Sequence, residues 1–140
     1  MTEEQLEKLQ NFFIKKQGAI FEWGHNDCNT LVVEMHDYMY GTSEMSKLRG
    51  RYWDIRSAIQ FVRQELDHET WLKSVGYTQI EDDLTPQPGD VIMGSNRMFW
   101  CGHIYYNNRV YSIDQDGPFR QVKLTDFPPL NNATMQLWRK

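Results

Sequence analysis

Positive charge, cysteine and long apolar runs are all scarce in this chain of 140 residues. Lysine and arginine total 15 against 19 aspartates and glutamates, a formal charge of −4. The basic residues are scattered, with only Lys47, Arg49 and Arg51 loosely grouped. A nucleic-acid binder needs a basic stripe that displaces counterions from phosphates, so nucleic acid is disfavoured as a partner. The two cysteines, Cys28 and Cys101, are too few for a disulfide scaffold, and a reducing compartment is the simpler setting. No apolar run approaches the roughly 20 residues of a membrane-spanning helix, so no membrane partner is expected. The opening residues Met1-Thr2-Glu3-Glu4-Gln5 are acidic and polar, unlike a signal peptide, and the expectation is a protein made in a cytoplasm. What is present is 40% hydrophobic and 14% aromatic residues. That content supports one globular domain over residues 1–140, with a core that needs no metal or disulfide staple.

Helices come first along the chain. Thr2 and Gln5 have capping-box spacing, and Leu6, Leu9, Phe12 and Phe13 form an apolar stripe that Gly18 ends. A second helix starts at Asp27 or Cys28, carries Leu31, Val32, Met35 and Met39 on one face, and stops at Gly41. Residues 42–53 read as a polar connector with a short helical turn. Asp54 is an N-cap residue type, and Ile55, Ile59, Val62 and Leu66 follow as a third stripe. Residues 68–76 add a short helix closed by Gly76. After the loop containing Pro86, Pro88 and Gly89, short apolar runs read as strands near residues 91–94, 99–106, 109–114, 119–124 and 134–138. Helices before strands predict an α+β domain with an antiparallel sheet of about five strands.

The chemistry lies in two distant segments. Trp23-Gly24-His25-Asn26-Asp27-Cys28 places a cysteine at the mouth of the second helix, where the partial positive charge of the helix end favours a thiolate. Gly102-His103-Ile104-Tyr105-Tyr106 places a histidine on a later strand. Asn107-Asn108 fits a two-residue hairpin turn because Asn tolerates the left-handed conformation. With that turn, Tyr106 pairs with Arg109 and His103 lies opposite Ser112. Cys101, His103 and Tyr105 then share a face with Val110, Ser112 and Asp114. A carboxylate at Asp114, or the hydroxyl of Ser112, is placed to orient the imidazole toward a thiol.

Trp23-Gly24 followed by Asp27-Cys28 resembles the Trp-Gly…Asp-Cys-Ser-Gly signature of NlpC-type cell-wall peptidases. Pro88-Gly89-Asp90-Val91-Ile92 is similar to the segment before the histidine strand of that family. Gly102-His103-Ile104-Tyr105-Tyr106 is similar to the histidine strand of the related CHAP amidases. The order agrees over roughly residues 20–138. The resemblance implies a papain-like fold and hydrolysis of peptidoglycan amide or peptide bonds without a cofactor. It makes Cys28 the nucleophile and His103 the base, with Asp27 also touching substrate. Trp23 and Trp100 flank the motif residues and are expected to wall the cleft. Arg49-Gly50-Arg51-Tyr52 through Ala58 is similar to a phage-associated branch, which implies virion or tail proteins as partners and incorporation into a virion. Two departures stand out: Asn29-Thr30 replaces the family's Ser-Gly, and an alignment on Gly102 and Tyr105 puts Trp100 where many of these peptidases carry the histidine.

Alternatives follow from the same residues. The fold also serves as an inactive structural component of a tail or virion. His25, Cys28, Cys101 and His103 could form a Cys₂His₂ zinc site, although the spacing is unlike that of common fingers. Cys28 and Cys101 could form a disulfide, and Cys101 alone reads as packing.

Overall fold

The computed structural model describes residues 1–95, 99–115, 117–130 and 133–140. Helix α1 (Glu3–Lys16) begins at the expected capping box, with Thr2 and Gln5 exchanging side chain–backbone hydrogen bonds of 3.0 and 3.2 Å. Its stripe of Leu9, Phe12 and Phe13 is buried. Helix α2 (Cys28–Tyr40) is capped by Asp27 and ends at Gly41, in the left-handed conformation at φ 67°. Helices α3 (Ile55–Gln64) and α4 (His68–Ser74) start at the aspartate caps Asp54 and Asp67. Each cap satisfies backbone N–H groups that the first turn leaves unpaired.

The strands are β1 (Thr78–Ile80), β2 (Val91–Ser95), β3 (Trp100–Tyr106), β4 (Arg109–Ile113), β5 (Phe119–Lys123) and β6 (Met135–Arg139). They form an antiparallel sheet in the order β1-β6-β2-β3-β4-β5, so the architecture is α+β. The sequence predicts about five strands, and the sixth is β1. Its three residues are too few to show alternation; the strand exists because Thr78–Ile80 pairs with Leu137–Arg139 at the sheet edge. The β3–β4 turn is the one expected. Asn107 and Asn108 sit at φ 51° and 59°, and Tyr106 pairs with Arg109.

The two sheet faces have different covers. Val91, Met93, Ile104, Tyr111, Ile113 and Trp138 meet the helices, with Phe13 stacked on Tyr111 at 3.9 Å. Ile92, Tyr105, Val110 and Leu137 point the other way, under Leu124, Phe127 and Leu130. Buried Asp90 ties β2 to β6 by accepting hydrogen bonds from the Arg139 guanidinium (2.7 and 2.9 Å) and the Gln87 N–H (2.8 Å).

Helix α2 crosses β3 at Gly102. A Cβ there would lie 2.5 Å from Val32 Cγ2 and 2.9 Å from the Cys28 carbonyl oxygen. Gly102→Ala is therefore expected to destabilise the protein by about 1–3 kcal/mol through overpacking. Urea unfolding should show a lower midpoint at unchanged slope; an unshifted midpoint would mean the crossing has slack. His36 on α2 is buried, with Nδ1 3.4 Å from the Tyr77 hydroxyl, and burial lowers its pKa. The folded state thus resists a proton that the unfolded chain takes up at about 6.5, so stability is lost as pH falls below that value. The melting temperature should drop between pH 7 and pH 5, and the drop should shrink in His36→Gln.

Candidate active site

The local fold around Cys28 is built on Asp27. Its Oδ1 accepts hydrogen bonds from the backbone N–H groups of Asn29 and Thr30, both at 2.9 Å. Its Oδ2 accepts from the Gly24 N–H at 2.9 Å and from the Tyr52 hydroxyl at 2.7 Å. Gly24 has φ 76° and lies so close to the Tyr52 carbonyl that a Cβ would sit 2.2 Å from its oxygen. Trp-Gly…Asp is thus a packing device: the glycine lets the loop press against Tyr52, and the aspartate gathers loop, helix and tyrosine. Asp27 is 2% exposed with its acceptor positions taken, which fits a structural cap and leaves little for a substrate. The same cap consumes the Asn29 N–H.

The next residue locks the helix to the sheet. Asn29 Nδ2 donates to the Trp100 carbonyl at 3.1 Å, and its Oδ1 accepts from the Gly102 N–H at 3.1 Å. Those two peptide groups flank Cys101. The departure Asn29-Thr30 from the Ser-Gly pattern therefore has a physical role. Asn29 is the clamp, and the Thr30 hydroxyl accepts the Asp27 N–H at 2.8 Å to complete the capping box.

Cys28, Cys101, His103, Ser112 and Asp114 all line one open cavity of about 520 Å³, at the start of β3 and the end of β4. Phe21, Trp23 and Phe99 wall it, with Trp23 edge-on to Phe21 at 4.8 Å and 6.1 Å from Phe99. Trp23 is where the sequence places it. Trp100 lies outside this cavity, which corrects its expected role as a cleft wall. It lines an apolar pocket beside α2 and packs on the His68 ring at 4.9 Å, because alternation along β3 sends it to the same face as Gly102.

His103 takes the other face. Its ring packs edge-on against Phe127 at 5.1 Å, and its Nδ1 lies 3.2 Å from the Ile92 carbonyl oxygen. The carbonyl fixes the neutral ring with Nδ1–H as donor and leaves Nε2 as its acceptor. Burial lowers the His103 pKa, while the Ile92 hydrogen bond and the Asp114 charge oppose that shift. The expected orienter therefore differs from the observed one. Asp114 pairs with Arg120 at 2.6 Å and reaches the imidazole only through its charge, and the Ser112 hydroxyl donates to the Gly102 carbonyl at 3.3 Å.

The group that meets the Cys28 thiol is the thiol of Cys101. Their hydrogen bond is the largest influence on both pKa values, raising that of Cys28 and lowering that of Cys101. Burial and the nearby Asp27 charge raise Cys28 further, against the Gly102 N–H, which favours its thiolate. The Cys28 pKa is raised by Cys101, burial and the Asp27 charge, where the helix mouth was expected to lower it. Cys101, read from sequence first as packing and only alternatively as a partner of Cys28, belongs to the site. Its position two residues before His103 on one strand face was the available signal. His25 lies near Gly50, and among the described residues no three His, Cys, Asp or Glu side chains converge as metal ligands.

Fold and site together define an α+β protein with a helix-mouth dithiol beside an imidazole. The chain belongs to the family described as "Domain of unknown function (DUF6950)", matched over residues 3–132. A comparison with curated proteins found no match. Among the described residues no helix is long and apolar enough to cross a membrane.

The geometry orders thiol reactivity. Native protein treated with iodoacetamide near neutral pH should be labelled at Cys101 before Cys28. Labelling of Cys28 should keep rising with pH beyond the ordinary thiol range. Faster labelling of Cys28 at pH 7, read by peptide mass mapping, would contradict this order.

Proposed function

We propose that the protein is a thiol-dependent hydrolase of amide or peptide bonds, on a papain-like fold of the NlpC type. One observation carries this reading: a helix-mouth cysteine, an imidazole with an acceptor nitrogen and a carboxylate line the same open, aromatic-walled cavity. The substrate class follows from the sequence resemblance, and is the stem peptides of peptidoglycan. The resemblance of residues 49–58 extends the proposal to a phage tail or virion setting.

In this reading the resting site holds a neutral thiol and a neutral imidazole, because the Cys101 hydrogen bond and burial disfavour the Cys28 thiolate and burial disfavours the imidazolium. Cys28 Sγ attacks the substrate carbonyl carbon as its proton passes to His103 Nε2. The Cys28 N–H at the start of α2 stabilises the oxyanion. The imidazolium then protonates the leaving amine, and the same nitrogen activates the water that cleaves the thioester. Asp114 favours the imidazolium by its charge alone. Phe21, Trp23 and Phe99 supply the apolar wall for the peptide.

A second reading, a non-catalytic tail or virion component, is favoured by a different observation: the largest influence on the Cys28 thiol comes from Cys101, and it raises the pKa. Assays on purified peptidoglycan separate the two. Cys28→Ser is expected to lower kcat/KM by on the order of 10³-fold or more, and His103→Gln by about 10²–10⁴-fold. Release of muropeptides by Cys28→Ser at the wild-type rate, or no release by the wild type, would remove the hydrolase reading.

A further inference from the structure

We propose that Cys28 and Cys101 form a covalent modification site, a dithiol that low-molecular-weight disulfides such as oxidised glutathione close to an intramolecular disulfide in the folded protein. Three observations carry it. Each thiol is the largest influence on the other's pKa, so the two side chains act on each other directly. The Asn29 side chain holds the peptide groups on both sides of Cys101, at 3.1 Å each, to the residue that follows Cys28. The backbones that carry the two cysteines are thereby held beside each other, where a bridge would form. Both side chains also line the open cavity, so a small reagent has a path to them.

The order of events follows from exposure and acidity. Cys101 is half-buried, whereas Cys28 is 7% exposed. The Cys28 hydrogen bond stabilises the Cys101 thiolate and makes it the entry point. The Cys101 thiolate attacks one sulfur of oxidised glutathione, forming a mixed disulfide and expelling one glutathione thiolate. The Cys28 thiol gives its proton to that thiolate and attacks the Cys101 sulfur, forming the protein disulfide and expelling a second glutathione thiolate. Counted from the dithiol, the protein loses two electrons and two protons, and oxidised glutathione becomes two thiols, the second taking up the proton that Cys101 released on ionising. Closure withdraws Cys28 from the cavity as a nucleophile. That consequence rests on the hydrolase reading, but the bond-forming step does not.

The test reads mass and thiol count, so it stands apart from any activity. Native wild type incubated with oxidised glutathione should lose both titratable thiols, and its intact mass should fall by two hydrogens. A Cys28–Cys101 linked peptide should appear and be reversed by dithiothreitol. Cys28→Ser should stop at a stable glutathione adduct on Cys101, and Cys101→Ser should form no intramolecular bridge. A wild type that keeps both thiols, stops at a lasting glutathione adduct, or crosslinks only between molecules would overturn the proposal. Failure of Cys28→Ser to gain an adduct on Cys101 would overturn the entry point.

Discussion

The close crossing of α2 over β3 is the constraint on which the site depends. It needs a residue without a side chain at Gly102, because the Cys28 carbonyl and Val32 occupy the space a Cβ would take. It also needs the Asn29 amide, which substitutes for a strand neighbour by bonding two β3 peptide groups. With the helix start so close, the cysteine that begins α2 arrives at the sheet and not at its edge. The Asp27 carboxylate completes the arrangement by capping α2 and holding the Gly24 loop and Tyr52 with its other oxygen. A buried carboxylate with four hydrogen-bond donors is stable in place, whereas one with fewer would carry a large desolvation cost.

Magnitudes explain the protonation state of the dithiol. A helix N-terminus contributes roughly 0.3–1 kcal/mol to a nearby anion, and up to about 2 in favourable geometry. At about 1.4 kcal/mol per pKa unit, that is one to one and a half units at most. Full burial moves a group by up to about 3–5 units in the opposite direction. Cys28 hydrogen-bonds to Cys101, is buried and lies near the Asp27 charge, and all three raise its pKa. Cys101, more exposed and receiving the Cys28 hydrogen bond, becomes the more acidic member.

Much of the fold was legible along the chain. Thr2, Asp27 and Asp54 marked helix starts because cap residues act through neighbours two or three positions away. Asn107-Asn108 set the hairpin register for a similarly local reason. Strand β1 was not legible, since its pairing partner lies at the far end of the chain. For the site, the sequence identified Cys28, His103, Asp114 and Trp23 as residues worth following, and all four line one cavity. It assigned Trp100 to the wrong side because the side chain's direction depends on which face of β3 the helix covers. It read Cys101 as packing, with a bridge to Cys28 as an alternative, because a lone strand cysteine looks like packing until its neighbour across the crossing is known.

Local chemistry in the sequence determined where helices begin, how the β3–β4 hairpin turns and which side chains alternate together, since each depends on residues within a few positions. Only the tertiary structure decided that the Cys101 thiol acts on Cys28. It also decided that a backbone carbonyl orients His103 and that Asp114 turns to Arg120. Those outcomes depend on which segments approach across tens of residues and on how much water they exclude, and neither quantity is written in the spacing of residues along the chain.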